Sequence, residues 1–285
     1  MYDQPVSRNN PSCIVFLLDR SDSMKEQWGG STVTLAEGAA SALNKILLDL
    51  CIRSTKEVGG AVRHYFDIGI FGYGACPIAQ TEGVESALSG SLTGHDLVSL
   101  TVLADNPLTV REASSMDIGA GSVRIPVWVE PVHGYRTPMC EAIAVAGAHV
   151  FDWASRHPNS FPPIVINITD GMVTDSPREG ADLDEWAKRL TTIETNDGAT
   201  LLLNVFLSPS PSNGVLFPVS PAGLPEPGPE LFSISSMLPQ ALINNAHAVQ
   251  VPVESGARAL GFNADLAMLL KFLEIGTRVA EVRDR

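Results

Sequence analysis

Four short apolar runs divide the chain. They are CIVFLLD at 13–19, YFDIGIFGYG at 65–74, PIVINITD at 163–170 and LLLNVFLS at 201–208. The first, third and fourth are nearly continuous in Ile, Val, Leu and Phe, as expected of parallel strands covered on both faces. The second carries Gly69, Gly72 and Gly74, which places it near an edge or tight against a helix. Between these runs the period changes to that of a helix. Thr34 and Glu37 form a capping-box pair ahead of Ala36, Ala39, Ala40, Leu43, Ile46, Leu47 and Leu50. Thr137-Pro138 reads as N-cap and first turn of a helix with Met139, Ala142, Ile143, Ala146, Val150 and Trp153 on one face. Ser176-Pro177 reads as a third start, running through Trp186 and Leu190 towards a stop at Gly198. Asn263 is expected to cap a last helix, at about 263–281, that carries Leu266, Leu269, Leu270, Leu273 and Val279.

Strands alternating with helices predict one α/β domain over 1–285. Its architecture is Rossmann-like and doubly wound, a mostly parallel sheet with helices on both faces. Two segments break the alternation. Residues 75–133 read as an irregular insertion, relieved by the period-2 run Val123, Ile125, Val127, Val129, which predicts one antiparallel edge strand. Residues 208–230 hold seven prolines and read as a structured but irregular loop.

Composition narrows the function classes. Hydrophobic residues make up 45% of the 285, enough for a full core. The formal charge is −13, from 19 basic against 32 acidic residues, with no basic run. That argues against nucleic acid and anionic membrane surfaces. An acidic partner would need a local positive charge, for which a divalent cation is the usual device. No apolar stretch is long enough to span a bilayer. Cys13, Cys51, Cys76 and Cys140 are scattered, with no CxxC, and read as reduced thiols. The N-terminal residues show no signal-peptide pattern. The expectation is a cytoplasmic protein.

The polar residues that end the apolar runs carry the chemistry. Asp19 ends the first strand and is followed at alternate positions by Ser21 and Ser23. Asp170 ends the third, and the Thr137 loop leads into a helix that reaches the same edge. In doubly wound folds ligands bind at the carboxyl ends of the strands. All five residues offer hard oxygen, with no thiolate, which selects Mg²⁺, Mn²⁺ or Ca²⁺ over zinc or copper. No histidine pair has ligand spacing, no nucleophile elbow is visible, and the glycine-rich pieces do not make a phosphate loop.

These motifs resemble a known family. DRSDSM at 19–24 matches the DxSxS signature of von Willebrand factor A domains, RTPM at 136–139 its threonine loop and TDG at 169–171 its aspartate loop. The likeness spans roughly residues 12–208, in the same order of elements. It implies a metal-ion-dependent adhesion site for Mg²⁺ or Mn²⁺ held by Asp19, Ser21, Ser23, Thr137 and Asp170. It also implies a non-catalytic interaction module whose protein partner supplies an Asp or Glu carboxylate as the last ligand. By analogy with other members, the setting is a bacterial stress, defence or ATPase-associated complex. Two other functions remain open. Asp19 could be the nucleophile of a Mg²⁺-dependent phosphotransferase, although Ser21 stands where such enzymes place a general acid. The chain could also be a structural subunit of a larger assembly. Trp28 reads either as a partner contact on a mobile loop or as local packing, and Phe217 either as a partner contact or as part of a loop covering the sheet edge. Asp22 and Asp175 read as solvated, and His149 as a satisfied helix histidine.

Overall fold

The computed structural model describes residues 1–29, 31–57, 60–112, 124–209 and 214–278. Val123 and Val279, the end of the expected last helix and part of the proline-rich loop lie outside them. In chain order the strands are β1 Ser12–Arg20, β2 Phe66–Cys76, β3 Thr81–Ser86, β4 Leu97–Ser99, β5 Thr109–Glu112, β6 Arg124–Val127, β7 Ile164–Thr169, β8 Glu194–Thr195, β9 Gly198–Ala199, β10 Leu201–Leu207, β11 Val215–Leu216 and β12 Leu260–Ala264. The α-helices are α1 Leu35–Arg53, α2 Leu100–Asp105, α3 Met139–Arg156, α4 Leu183–Thr191, α5 Gly228–Ile234, α6 Gln240–Ala248 and α7 Leu266–Thr277.

The main sheet runs β11-β12-β10-β7-β1-β2-β3, and β4 also pairs with β2. β12, β10, β7, β1 and β2 are mutually parallel. β1 is buried along its whole length because both of its faces are covered. Ile14, Phe16 and Leu18 join the core under α1 and α7, while Cys13, Val15 and Leu17 join the core under α3, α4 and α5. This period-2 split of a continuous apolar run is the doubly wound arrangement. Among the described residues no helix is long and apolar enough to cross a membrane.

Several boundaries differ from the sequence reading. The antiparallel edge strands are β3, paired with β2, and β11, paired with β12, and not the run at 123–129. Residues Arg124–Val127 of that run form β6, which pairs with β5 in a separate two-stranded sheet. The described part of the insertion therefore carries strands and a helix of its own, and buried Asn44 on α1 holds it down. The Asn44 amide donates to Val129 O (2.8 Å) and its carbonyl accepts from Trp128 N (2.8 Å) and Val129 N (3.1 Å). Asp182, not Ser176, caps α4, accepting from Glu185 N at 2.9 Å. Gly198 lies in the small β8–β9 hairpin beyond that helix. α7 is capped by Asp265, while Asn263 sits in β12 with φ +53°. The strand β12 escaped the sequence reading because LGFNA is short and interrupted by Gly261 and Asn263.

The proline-rich loop covers the other edge of the sheet. β11 pairs antiparallel with β12, and Phe217 beside it is 4% exposed and stacked on Phe272 of α7 at 5.4 Å. Phe217 therefore spends its ring on core packing, which corrects its reading as a partner contact.

At the opposite, amino-terminal end of β2, His64 Nε2 lies 2.7 Å from Asp67 Oδ1, and Trp153 Nε1 donates to Asp67 Oδ2 at 2.9 Å. The hydrogen bond to Asp67 raises the His64 pKa. Burial pushes Asp67 up, but the bonds from His64 and Trp153 outweigh it and leave Asp67 below its usual range. Stability from the pair is thus fully present between about pH 4 and 6.5. It is lost as pH rises through the raised His64 value or falls through the lowered Asp67 value. His64 is part-exposed, so the contribution is at most about 1 kcal/mol. Wild type should lose a degree or two more in melting temperature between pH 6 and 8.5 than His64→Gln does, read by differential scanning calorimetry.

Candidate metal centre

The sheet order creates a crevice. From β1 the chain goes through α1 to β2 on one side, and later through α3 to β7 on the other. The carboxyl ends of β1 and β7 lie at this topological switch point, where the connections diverge and leave room for a ligand. Asp19 in β1 and Asp170 just after β7 stand there.

The side chains converge through a continuous set of hydrogen bonds. Asp19 Oδ1 accepts from Ser21 N at 2.7 Å, and Asp19 Oδ2 accepts from Thr169 Oγ1 at 2.6 Å. Thr169 Oγ1 in turn accepts from Gly171 N at 3.1 Å. Ser21 Oγ lies 3.0 Å from Ser23 Oγ, which donates to Asp170 Oδ1 at 2.9 Å. Thr137 enters from the third loop. Its backbone N donates to Thr174 Oγ1 at 2.9 Å, and Thr174 N donates to Thr137 O at 3.0 Å. A Cβ on Gly171 would fall 2.9 Å from Thr137 Oγ1 and 3.6 Å from Asp19 Oδ2, so the aspartate loop approaches this closely only because residue 171 is glycine. All five sequence-predicted residues are thus brought to one place.

Burial sets the electrostatics. Asp19 is 1% exposed, and desolvation raises its pKa against the hydrogen bonds from Ser21 and Thr169. Asp170 is pushed up to about 7, first by burial and then by the charge of Asp19, with the Ser23 hydrogen bond offsetting only part. Burial and Asp19 also push the Tyr73 phenol well above its ordinary value. Among the described residues no ion pair neutralises Asp19 or Asp170. Two carboxylates and three hydroxyls around one point, short of positive charge, fit a hard divalent cation. Among the described residues no cluster of three His, Cys, Asp or Glu side chains offers another kind of metal site.

Among the other neighbours, Thr137 and Asp175 differ from their sequence reading. Thr137 is not the cap of α3. That helix begins at Met139 with Pro138 in the cap position. Asp175, read as solvated, caps it from the neighbouring loop, accepting from Cys140 N (3.0 Å) and Glu141 N (2.9 Å). This ties the aspartate loop to the threonine loop. Asp22 is exposed and paired with Lys25 at 2.6 Å. Trp28 is 6% exposed and lies against Gly38 of α1, where a Cβ would come within 2.3 Å of its ring. Local packing, not an exposed contact, is its role. Gly29 N donates to Pro209 O at 2.7 Å, so the start of the proline-rich segment does reach the loop that follows the first motif. His149 of α3 stacks on Phe71 of β2 at 5.0 Å. Sequence reasoning missed Thr169 and Thr174, because a threonine ending a strand or lying in a loop carries no signal of which carboxylate or backbone it meets.

No family model and no curated protein sequence matches the chain. Among solved structures, the manganese-loaded TRAP protein of Plasmodium vivax is similar at 13% identity, over 93% of this chain and 74% of that one, with a TM-score of 0.38. The human COPII-coat protein Sec24c is similar at 12% identity, over 70% of this chain and 26% of that one, with a TM-score of 0.34. Likenesses this shallow add nothing to the geometry.

Proposed function

We propose that this chain is a non-catalytic, divalent-metal-dependent protein-interaction module of the von Willebrand factor A type, with Mg²⁺ or Mn²⁺ as its ion. One observation carries the reading. Asp19, Ser21, Ser23 and Asp170 are joined by hydrogen bonds at the switch point of a doubly wound sheet, Thr137 stands beside them against Gly171, and among the described residues no cation neutralises the two carboxylates. The Ser21, Ser23 and Thr137 hydroxyls would hold the ion directly, and Asp19 and Asp170 would act through water. When bound, the ion supplies an electrophilic position that a carboxylate from a protein partner can complete. Neutral hydroxyls donate little charge, so that position stays attractive to an anion.

A phosphotransfer role for Asp19 is less well supported. Both of its oxygens already accept hydrogen bonds, and it is almost fully buried. Ser21 cannot act as the general acid that such chemistry places two residues on. Four buried, unpaired cysteines support a reducing compartment, and we place the module in the cytoplasm, within a bacterial stress, defence or ATPase-associated complex.

Isothermal calorimetry with Mg²⁺ and Mn²⁺ tests the reading. Wild type should bind one ion per chain, and Asp170→Asn should weaken binding roughly tenfold or more while keeping the wild-type fold. Equal affinity in wild type and in an Asp19→Ala, Asp170→Ala double variant would overturn it. Turnover of a phosphoester would overturn the non-catalytic part.

A further inference from the structure

The described residues include three large apolar side chains that are exposed on the metal-bearing edge, each on a different loop. Ile78 is 57% exposed, Tyr135 54% and Met172 57%. Their backbones are fastened to the site. Met172 follows Gly171, which meets Thr137 and Asp19. Tyr135 O accepts from Asp22 N at 3.0 Å, and Gly134 N donates to Arg20 O at 2.8 Å. Tyr135 holds φ +64°, an uncommon conformation for a bulky residue, which this strap sustains. Ile78 sits on the turn between β2 and β3. Glu85 accepts from Ile78 N and Ala79 N, both at 3.2 Å, and Arg20 Nη1, from a side chain 4% exposed, lies 3.7 Å from Glu85. Three fixed loops thus hold apolar side chains out in water, where they do nothing for the fold. Preorganised apolar groups around a polar centre are the anatomy of a docking surface.

Charge decides what kind of segment fits. The rim is acidic, with exposed Asp22 and Glu26 beside half-buried Asp170 and Glu82. Its cations are already engaged: Lys25 by Asp22, Arg136 by Glu82 and Arg20 by Glu85. A partner with several acids would meet repulsion everywhere except at the ion. Resting on the metal-dependent reading above, we propose that the partner segment carries one carboxylate flanked by apolar side chains, which pack on Ile78, Tyr135 and Met172.

A phage-displayed library of random dodecapeptides, selected on the full chain in Mg²⁺ and eluted with EDTA, tests this. The eluted sequences should carry a single Asp or Glu with Leu, Ile, Met or Phe next to it. A synthetic peptide from that set should bind the Tyr135→Ser, Met172→Ser double variant roughly tenfold or more weakly. Calorimetric Mg²⁺ affinity of that variant should equal that of wild type. Polyacidic sequences, sequences without apolar flanks, no EDTA-eluted binders despite Mg²⁺ binding, or undiminished peptide affinity in the variant would each overturn the proposal and leave the metal site standing. Absence of Mg²⁺ binding in wild type would instead bring down the metal-dependent reading, and this proposal with it.

Discussion

Gly74→Ala should cost the fold about 3 kcal/mol and weaken Mg²⁺ binding by roughly ten- to a hundredfold. Gly74 holds φ +112°, a conformation that L side chains rarely adopt. It pairs with Arg20 on β1 and with Gly83 on β3. A Cβ there would lie 2.8 Å from Arg20 C, Arg20 O and Ser21 N. Those are backbone atoms, so no side chain can swing away. Either β2 separates from β1, or the Arg20–Ser21 peptide moves. The second outcome shifts the N–H that Ser21 donates to Asp19 and the hydroxyl aligned with Ser23. Urea denaturation would read the stability and calorimetry the metal. Gly94→Ala is the control, because Gly94 also has positive φ, at +80°, but open space around it. It should lose only about 1 kcal/mol and keep its metal affinity.

Asn167→Ala should destabilise the chain by about 3 kcal/mol or more, lowering the melting temperature by roughly 6–10 °C. Asn167 sits in the middle of β7 with no exposure. Its carbonyl accepts from Tyr73 OH at 2.7 Å, and its amide donates to Asn204 Oδ1 at 3.0 Å. Asn204 then donates to Ser235 Oγ at 2.9 Å, and Ser235 Oγ donates to Leu231 O of α5 at 2.6 Å. A polar line thus crosses β2, β7 and β10 beneath the α3 side of the sheet. Removing Asn167 takes from Tyr73 OH and Asn204 Oδ1 the hydrogen bonds it makes to them in a dry interior, each at about 1–3 kcal/mol. Asn167→Leu restores volume without rescue, because leucine replaces neither hydrogen bond. Tyr73→Phe combined with Asn167→Ala should cost less than the sum of the two, since each removes the same hydrogen bond. Strict additivity in a urea-denaturation cycle would show that the line does not act as a unit.

How much of this was readable from residues alone depends on how local its cause is. The strands β1, β7 and β10 were legible because each is a nearly continuous apolar run that must be covered on both faces, and β2 was legible as a strand despite its glycines. The capping box at Thr34 and Glu37 was legible because both partners lie within one turn, and both hydrogen bonds form. The short strands β3, β4, β11 and β12 were not, because segments of only two to six residues carry too little pattern of their own and pair only where a neighbouring edge is waiting. Helix starts failed for a related reason. Thr137 looks like a cap, yet Asp175 caps α3 from another loop. A cap supplied from afar leaves no mark in the local spacing.

The candidate site divides along the same line. Asp19, Ser21, Ser23, Thr137 and Asp170 could be named from sequence because their spacing and the strand ends announce a hard-oxygen cluster at one edge. Trp28 and Phe217 could not be placed, because an aromatic beside glycine or proline reads equally as contact or core. Gly38 gives the Trp28 ring its seat and Phe272 covers Phe217, and both are distant in sequence. The sequence by itself determined the layered α/β plan and named the candidate oxygen donors, since local hydrophobic period and residue chemistry point to both. Only the tertiary structure decided which aromatics are buried, which apolar side chains are left exposed around the site, and how Thr169, Asp175 and Gly171 hold its loops, since these follow from long-range packing that no local pattern encodes.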